Sequence, residues 1–189
     1  IRVMKSKKSI FDAFVNLRSK KELRKITVKK LCEKALINKS TFYTYYEDMF
    51  DLSDKIESEV VDGIVSTISN PQMMIDEPVK FYRSLLGAVS ENKKLIDTVF
   101  SGSQHPNLIV KISKSLKKMT FENHPEYIND KKICTILDYA IYGGYYAFVE
   151  NQENTNDYSD ELIESVSVIS EHMTKLIKAS IPTLKSNNV

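Results

Sequence analysis

The chain of 189 residues is long enough for one medium domain or for a small domain joined to a larger one, and its 42% hydrophobic content suffices for a core. Only five glycines and five prolines are present, which argues against a turn-rich β protein and for an all-α fold. The formal net charge of +2 conceals an asymmetry: residues 1–50 hold 13 Lys and Arg against 5 Asp and Glu, a balance of +8, while residues 51–189 hold 14 against 20, a balance of −6. A basic segment of that kind supplies the salt-sensitive, sequence-independent part of nucleic-acid affinity. No stretch approaches the roughly 18 unbroken apolar residues of a membrane span and no apolar signal core opens the chain, so a cytoplasmic protein with no membrane partner is expected. The first residue is Ile rather than Met, and a few more residues, some of them basic, are expected ahead of it.

Ile10, Phe11, Phe14 and Leu17 recur at helical spacing and predict a first helix over residues 5–18, with Arg2, Lys5, Lys7 and Lys8 at its leading end. Leu23 and Ile26 lead into Thr27, whose side-chain oxygen suits the N-cap of a helix that starts at Val28 and turns Val28, Leu31, Cys32 and Ala35 to one face. Asn38 is a second N-cap candidate directly after apolar Ile37, so residues 35–38 read as the turn of a helix-turn-helix. In the helix after Asn38, Phe42 and Tyr46 are four apart and share the inward face, which leaves Lys39, Ser40, Tyr43 and Thr44 or Tyr45 outward. Asp48 is placed to cap the next helix, with Asp51 in its first turn where negative charge suits the helix dipole.

Thr27-Val28, Leu31-Cys32, Ala35, the run Lys39-Ser40-Thr41-Phe42-Tyr43 and the pair Tyr45-Tyr46 together resemble, over residues 8–55, the DNA-binding domain of the tetracycline-repressor (TetR) family of bacterial transcription regulators. The resemblance implies that the helix beginning near Lys39 enters the major groove of double-stranded operator DNA and that Tyr43 meets a phosphate. Thr27, Lys29, Lys39, Ser40, Thr41, Tyr43, Thr44 and Tyr45 are then the expected DNA contacts. Residues 1–48 would be the DNA-binding domain and residues 49–189 a helical regulatory and dimerisation domain. Two positions depart from the pattern. Leu36 stands where the turn usually has glycine, which predicts a strained backbone there. Met49, preceded by Glu47 and Asp48, stands where a basic residue often covers a phosphate.

From Met49 a helix is expected to run past Leu52, Ile56, Val60 and Ile64 toward Ile68 and to stop before Asn70-Pro71. Further helices are expected near 76–90, 93–101, 106–121, 129–151 and 159–180, the last two separated by the polar run 151–157, giving nine in all as the resemblance implies. The last two carry wide apolar faces. The resemblance then implies that Leu137, Ile141, Gly144, Tyr145, Phe148, Val166, Ile169, Met173 and Leu176 lie at a homodimer interface, two helices from each subunit making a four-helix bundle; by pattern alone the same faces pack inside one subunit. Two-fold operators need two recognition helices about 34–36 Å apart. The resemblance also implies a cavity for an unknown small-molecule or protein effector, lined by Phe81, Tyr82, Phe100, Leu116, Met119, Tyr139, Tyr142 and Tyr146. By periodicity alone the same side chains fill a core.

Other chemistries find little support. His105, His124 and His172 are scattered, Cys32 and Cys134 are far apart, and neither a glycine-rich phosphate loop nor a nucleophile motif occurs, so no enzyme, metal or cofactor is expected. The expected function is a TetR-like homodimeric repressor released from its operator by the effector. The alternatives are a coactivator whose C-terminal domain answers to a partner protein, and a helical enzyme or lipid carrier.

Overall fold

The structure is a computed structural model that describes residues 2–68, 70, 73–152 and 160–180, with the side chains of a few residues inside those ranges left aside. Regular structure among the described residues is helical throughout. The α-helices are α1 (Arg2–Arg18), α2 (Val28–Ala35), α3 (Lys39–Tyr43), α4 (Met49–Ser66), α5 (Met73–Asp76), α6 (Pro78–Glu91), α7 (Lys93–Val99), α8 (Asn107–Asn123), α9 (Lys131–Gln152) and α10 (Asp160–Ser180). Setting aside the single turn of α5, this leaves nine, the number expected. The polar loop lies, from residue 153 to 159, outside the described residues.

Local chemistry explains the boundaries. Thr27 accepts a hydrogen bond from the Lys30 backbone N–H at 3.3 Å and starts α2; Asn38 accepts one from the Thr41 N–H at 2.7 Å and starts α3. Between them the chain stops helix α2 at Leu36, which adopts φ 55° and ψ 43°, with the Ile37 N–H closing back on the Cys32 carbonyl. That is a left-handed helix stop of the kind glycine usually serves. A helix expected over 76–90 instead begins with α5 and restarts at Pro78. Proline biases Glu77 away from helical angles and is itself well placed as a first helical residue.

The chain forms two compact units, Ile1–Ile64 with Val89–Ile112, and Val65–Ala88 with Ser113–Val189. In the first, the inward stripe of α1 (Ile10, Phe14 and Leu17) is buried, as are Leu31, Phe42, Leu52, Ile56 and, from α7 and its end, Ile96, Val99 and Phe100. The three-helix head, residues 1–48, is part of this unit. In the second, Tyr127, Ile133 and Leu137 make an apolar cluster against which Met74, Phe121 and Ile136 pack. An ion pair between Lys117 and Asp138 ties α8 to α9 there. Gly144 faces Tyr82 and Val166, where a Cβ would make ordinary contacts, 3.4 Å from the Tyr82 hydroxyl and 3.6 Å from Val166.

Candidate nucleic-acid interface

Phe42 and Tyr46 are buried and hold α3 against the head, their rings 5.6 Å apart. The remaining side chains of α3 face away from that core. Lys39, Ser40, Tyr43 and Thr44 are exposed, and Thr41 and Tyr45 are half-buried. Tyr43 rests edge-on against Phe42 at 5.3 Å, so its ring is braced although the residue is more than half exposed. The three small hydroxyls are already engaged: Ser40 and Thr41 each donate to Asn38 Oδ1, at 2.8 and 2.7 Å, and Thr44 donates to the Ser40 carbonyl at 2.9 Å. With their hydrogens turned inward, these oxygens present lone pairs to a ligand, whereas Lys39 and Tyr43 bring the outward donors.

Two lysines stand over the tyrosines that follow α3. Lys7 of α1 stands over the Tyr45 ring at 5.8 Å, and Lys55 of α4 stands over the Tyr46 ring at 5.4 Å while donating to the Tyr45 carbonyl at 3.2 Å. Lys29 is exposed and reaches Glu33 at 4.0 Å, a screened surface pair. The close side-chain contact of Lys30 with Lys21, and then its charge, holds the Lys21 ammonium below the usual lysine range. Two like charges brought together in water are the arrangement an approaching anion relieves. Cys32, beneath this surface, has its thiol pushed up by burial, with the Lys39 charge acting the other way.

The start of α4 is closed to phosphate. Asp48 Oδ1 accepts the Phe50 and Asp51 N–H groups at 2.7 and 2.8 Å, and Asp51 Oδ2 accepts the Glu47 N–H at 2.9 Å. The hydrogen bond from Lys55, and then that from the Glu47 backbone, holds the Asp51 carboxyl below its ordinary value. Met49 is buried, so the departure noted in the sequence is structural: carboxylates occupy the free N–H groups that a phosphate would use elsewhere.

The residues expected to line a cavity differ in burial. Phe81 and Leu116 are buried in the second unit, and Met119 and Tyr142 are half-buried. Burial raises the Tyr82 phenol, and a hydrogen bond with Ser170 opposes part of that shift. Phe100 belongs to the first unit's core. Tyr139 and Tyr146 are 65% and 54% exposed, so neither walls an enclosed site within the chain. The expected dimer residues also divide. Leu137, Ile141, Phe148 and Val166 are buried inside the single chain, and Gly144 backs onto Tyr82. Burial raises the Tyr145 phenol. Met173 is half-buried, whereas Ile169 and Leu176 stay exposed. The outer face of α9 is instead Tyr139, Gly143 and Tyr146, which share one stripe at helical spacing.

Among the described residues no group of three or more His, Cys, Asp or Glu could hold a metal, and no helix is long and apolar enough to cross a membrane. No protein-family model, curated protein or solved structure matches the chain.

Proposed function

We propose that the chain is a TetR-like, DNA-binding transcription regulator that acts as a homodimer in the cytoplasm and, as a repressor, is released from its operator by an effector. The observation that carries this reading is the capped α2–turn–α3 unit, which buries Phe42 and Tyr46 and leaves Lys39, Ser40 and Tyr43 outward, on a segment of net charge +8. Lys39 and Tyr43 supply donors for phosphate or base edges. Lys7, Lys21, Lys29 and Lys30 add the non-specific attraction. The homodimer rests on the exposed apolar strips of α9 and α10, Tyr139, Gly143 and Tyr146 with Ile169 and Leu176. Release follows if an effector binds better to a protein whose two heads are out of register with the operator, because operator affinity then falls by that difference in binding energy.

The test is selection of bound duplexes from random DNA by the full chain at low salt. Enrichment of two-fold symmetric half-sites spaced by about one helical turn is expected. Failure to enrich any sequence at low salt would remove the reading.

A further inference from the structure

The first unit contains a buried polar system that DNA contact does not use. Arg18, at the end of α1, is almost wholly buried. It donates through one guanidinium nitrogen to the Lys21 carbonyl at 3.1 Å, and through the other to the Val99 carbonyl at 3.3 Å, the Ser101 carbonyl at 3.0 Å and Ser101 Oγ at 2.7 Å. The Val99 and Ser101 acceptors lie at the C-terminal end of α7, where unpaired carbonyls and the negative end of the helix dipole suit a cation. Glu57 of α4 is fully buried. It accepts from Ser53 Oγ at 2.8 Å on one oxygen and from Asn107 Nδ2 at 3.0 Å on the other. Asn107 is the first residue of α8. One turn on, Lys111 donates to the Asp54 carbonyl at 3.0 Å, to Asp54 Oδ1 at 2.7 Å and to Ser58 Oγ at 2.9 Å.

Helix α1 of the head and helix α4, which follows the head, are thus bonded at the two ends of one junction, residues 100–106. Gly102 in that junction has φ 61°, a left-handed angle, and a Cβ there would meet nothing within 4 Å. The backbone angle and not crowding selects glycine, which makes the junction a natural bend. Apolar packing would hold α4 to α8 equally well, because buried ionic groups give back in attraction little more than their desolvation costs. What polar contacts add is a single register. They either meet or fail to meet, and sliding α8 by one residue removes them together. The grip is also incomplete, since Arg18 Nε finds no acceptor among the described residues although burial presses on the charge.

We propose that Arg18 on the end of α7 and Glu57 and Asp54 on the first turns of α8 form a latch that fixes the head, and that displacement of α8 opens it. Helix α8 continues beyond Ile112 into residues of the second unit. The DNA consequence rests on the function proposed above; the latch itself does not.

The test compares amide hydrogen exchange of the full chain with that of the Asn107→Ala/Lys111→Met variant, together with affinity for a duplex enriched from random DNA. Exchange in α1–α3 should rise about tenfold, as should the dissociation constant, with α9 unchanged. A rise confined to residues 104–111, or one equally large in α9, overturns the latch. If the parent binds no duplex, the function proposal fails while the exchange comparison still decides this one. Should the double variant not fold, Lys111→Met alone keeps the aliphatic stem and should give a smaller rise that still extends through α1–α3; its confinement to α8 is the overturning result.

Discussion

Leu36 is an apolar side chain 92% exposed on a residue with φ 55°, so it contributes almost no burial and carries the steric cost of a left-handed angle. Leu36→Gly removes that cost, and the added freedom of glycine in the unfolded chain offsets part of the gain. A net stabilisation of about 0.5–1 kcal/mol is expected from urea unfolding; a loss of stability would show that the strain has been assigned to the wrong residue. At Tyr43 the ring is braced by Phe42, and the proposed function gives only the hydroxyl a phosphate partner. Tyr43→Phe should therefore leave stability alone and weaken DNA binding about 3–10-fold on every sequence, as loss of one hydrogen bond does. Equal affinity in a titration at moderate salt would exclude the phosphate contact. Thr41 differs, because its hydroxyl already donates to Asn38. Thr41→Ala is then expected to loosen the α3 cap as much as the DNA contact, and the two effects separate when stability and affinity are measured side by side.

Helix α4 depends on its acidic start. Asp48 serves two N–H groups, so Asp48→Ala should cost about 1 kcal/mol in thermal or urea unfolding. The Asp51 carboxyl sits lower in the folded chain than in the unfolded one, held by Lys55 and by the Glu47 N–H. Its contribution is therefore present above the unfolded carboxylate value and is lost as pH falls through the folded one. Asp51→Asn should flatten the acid side of the stability–pH curve; an unchanged curve would show that Asp51 does not contribute. These starts were legible in the sequence because a cap acts within three residues: Thr27, Asn38 and Asp48 are each recognisable from their neighbours. Leu36 was legible for the same reason. The faces of α9 were not. Ile133, Leu137, Ile141 and Phe148 form one apolar stripe and Tyr139, Gly143 and Tyr146 another, and periodicity cannot say which turns inward when both are hydrophobic enough. Tyr139 and Tyr146, expected in a cavity, are exposed, and Leu137 and Ile141, expected at a dimer interface, are buried within the chain. The Arg18 and Glu57 contacts span 83 and 50 residues, a separation at which no local signal survives.

At the scale of the molecule, the proposed function needs two heads. A single head with four exposed or half-buried polar side chains on α3, Lys39, Ser40, Thr41 and Tyr43, makes only a few base and phosphate contacts, and a linked second head adds an effective concentration near the millimolar range. The exposed strips on α9 and α10 are what a second copy would cover. Tyr139, Tyr146, Ile169 and Leu176 are each more than half exposed, and because full burial of an apolar side chain contributes roughly 1.5–3 kcal/mol, covering the exposed half of each contributes about 1 kcal/mol. Gly143, with nothing within 4 Å of a Cβ built on it, leaves a shallow notch between the two tyrosines into which a partner helix can settle. Placing charge there should undo the pair without touching the chain's own core. The Tyr146→Glu/Leu176→Glu variant is expected to sediment as a monomer with unchanged helicity, and to lose about 100-fold or more in affinity for a two-fold site while keeping its affinity for an isolated half-site. A parent chain that is monomeric at tens of micromolar, on the order at which so small a hydrophobic interface still associates, would dispose of the homodimer. A variant that remains dimeric would move the interface to another face of the second unit and leave the DNA reading standing.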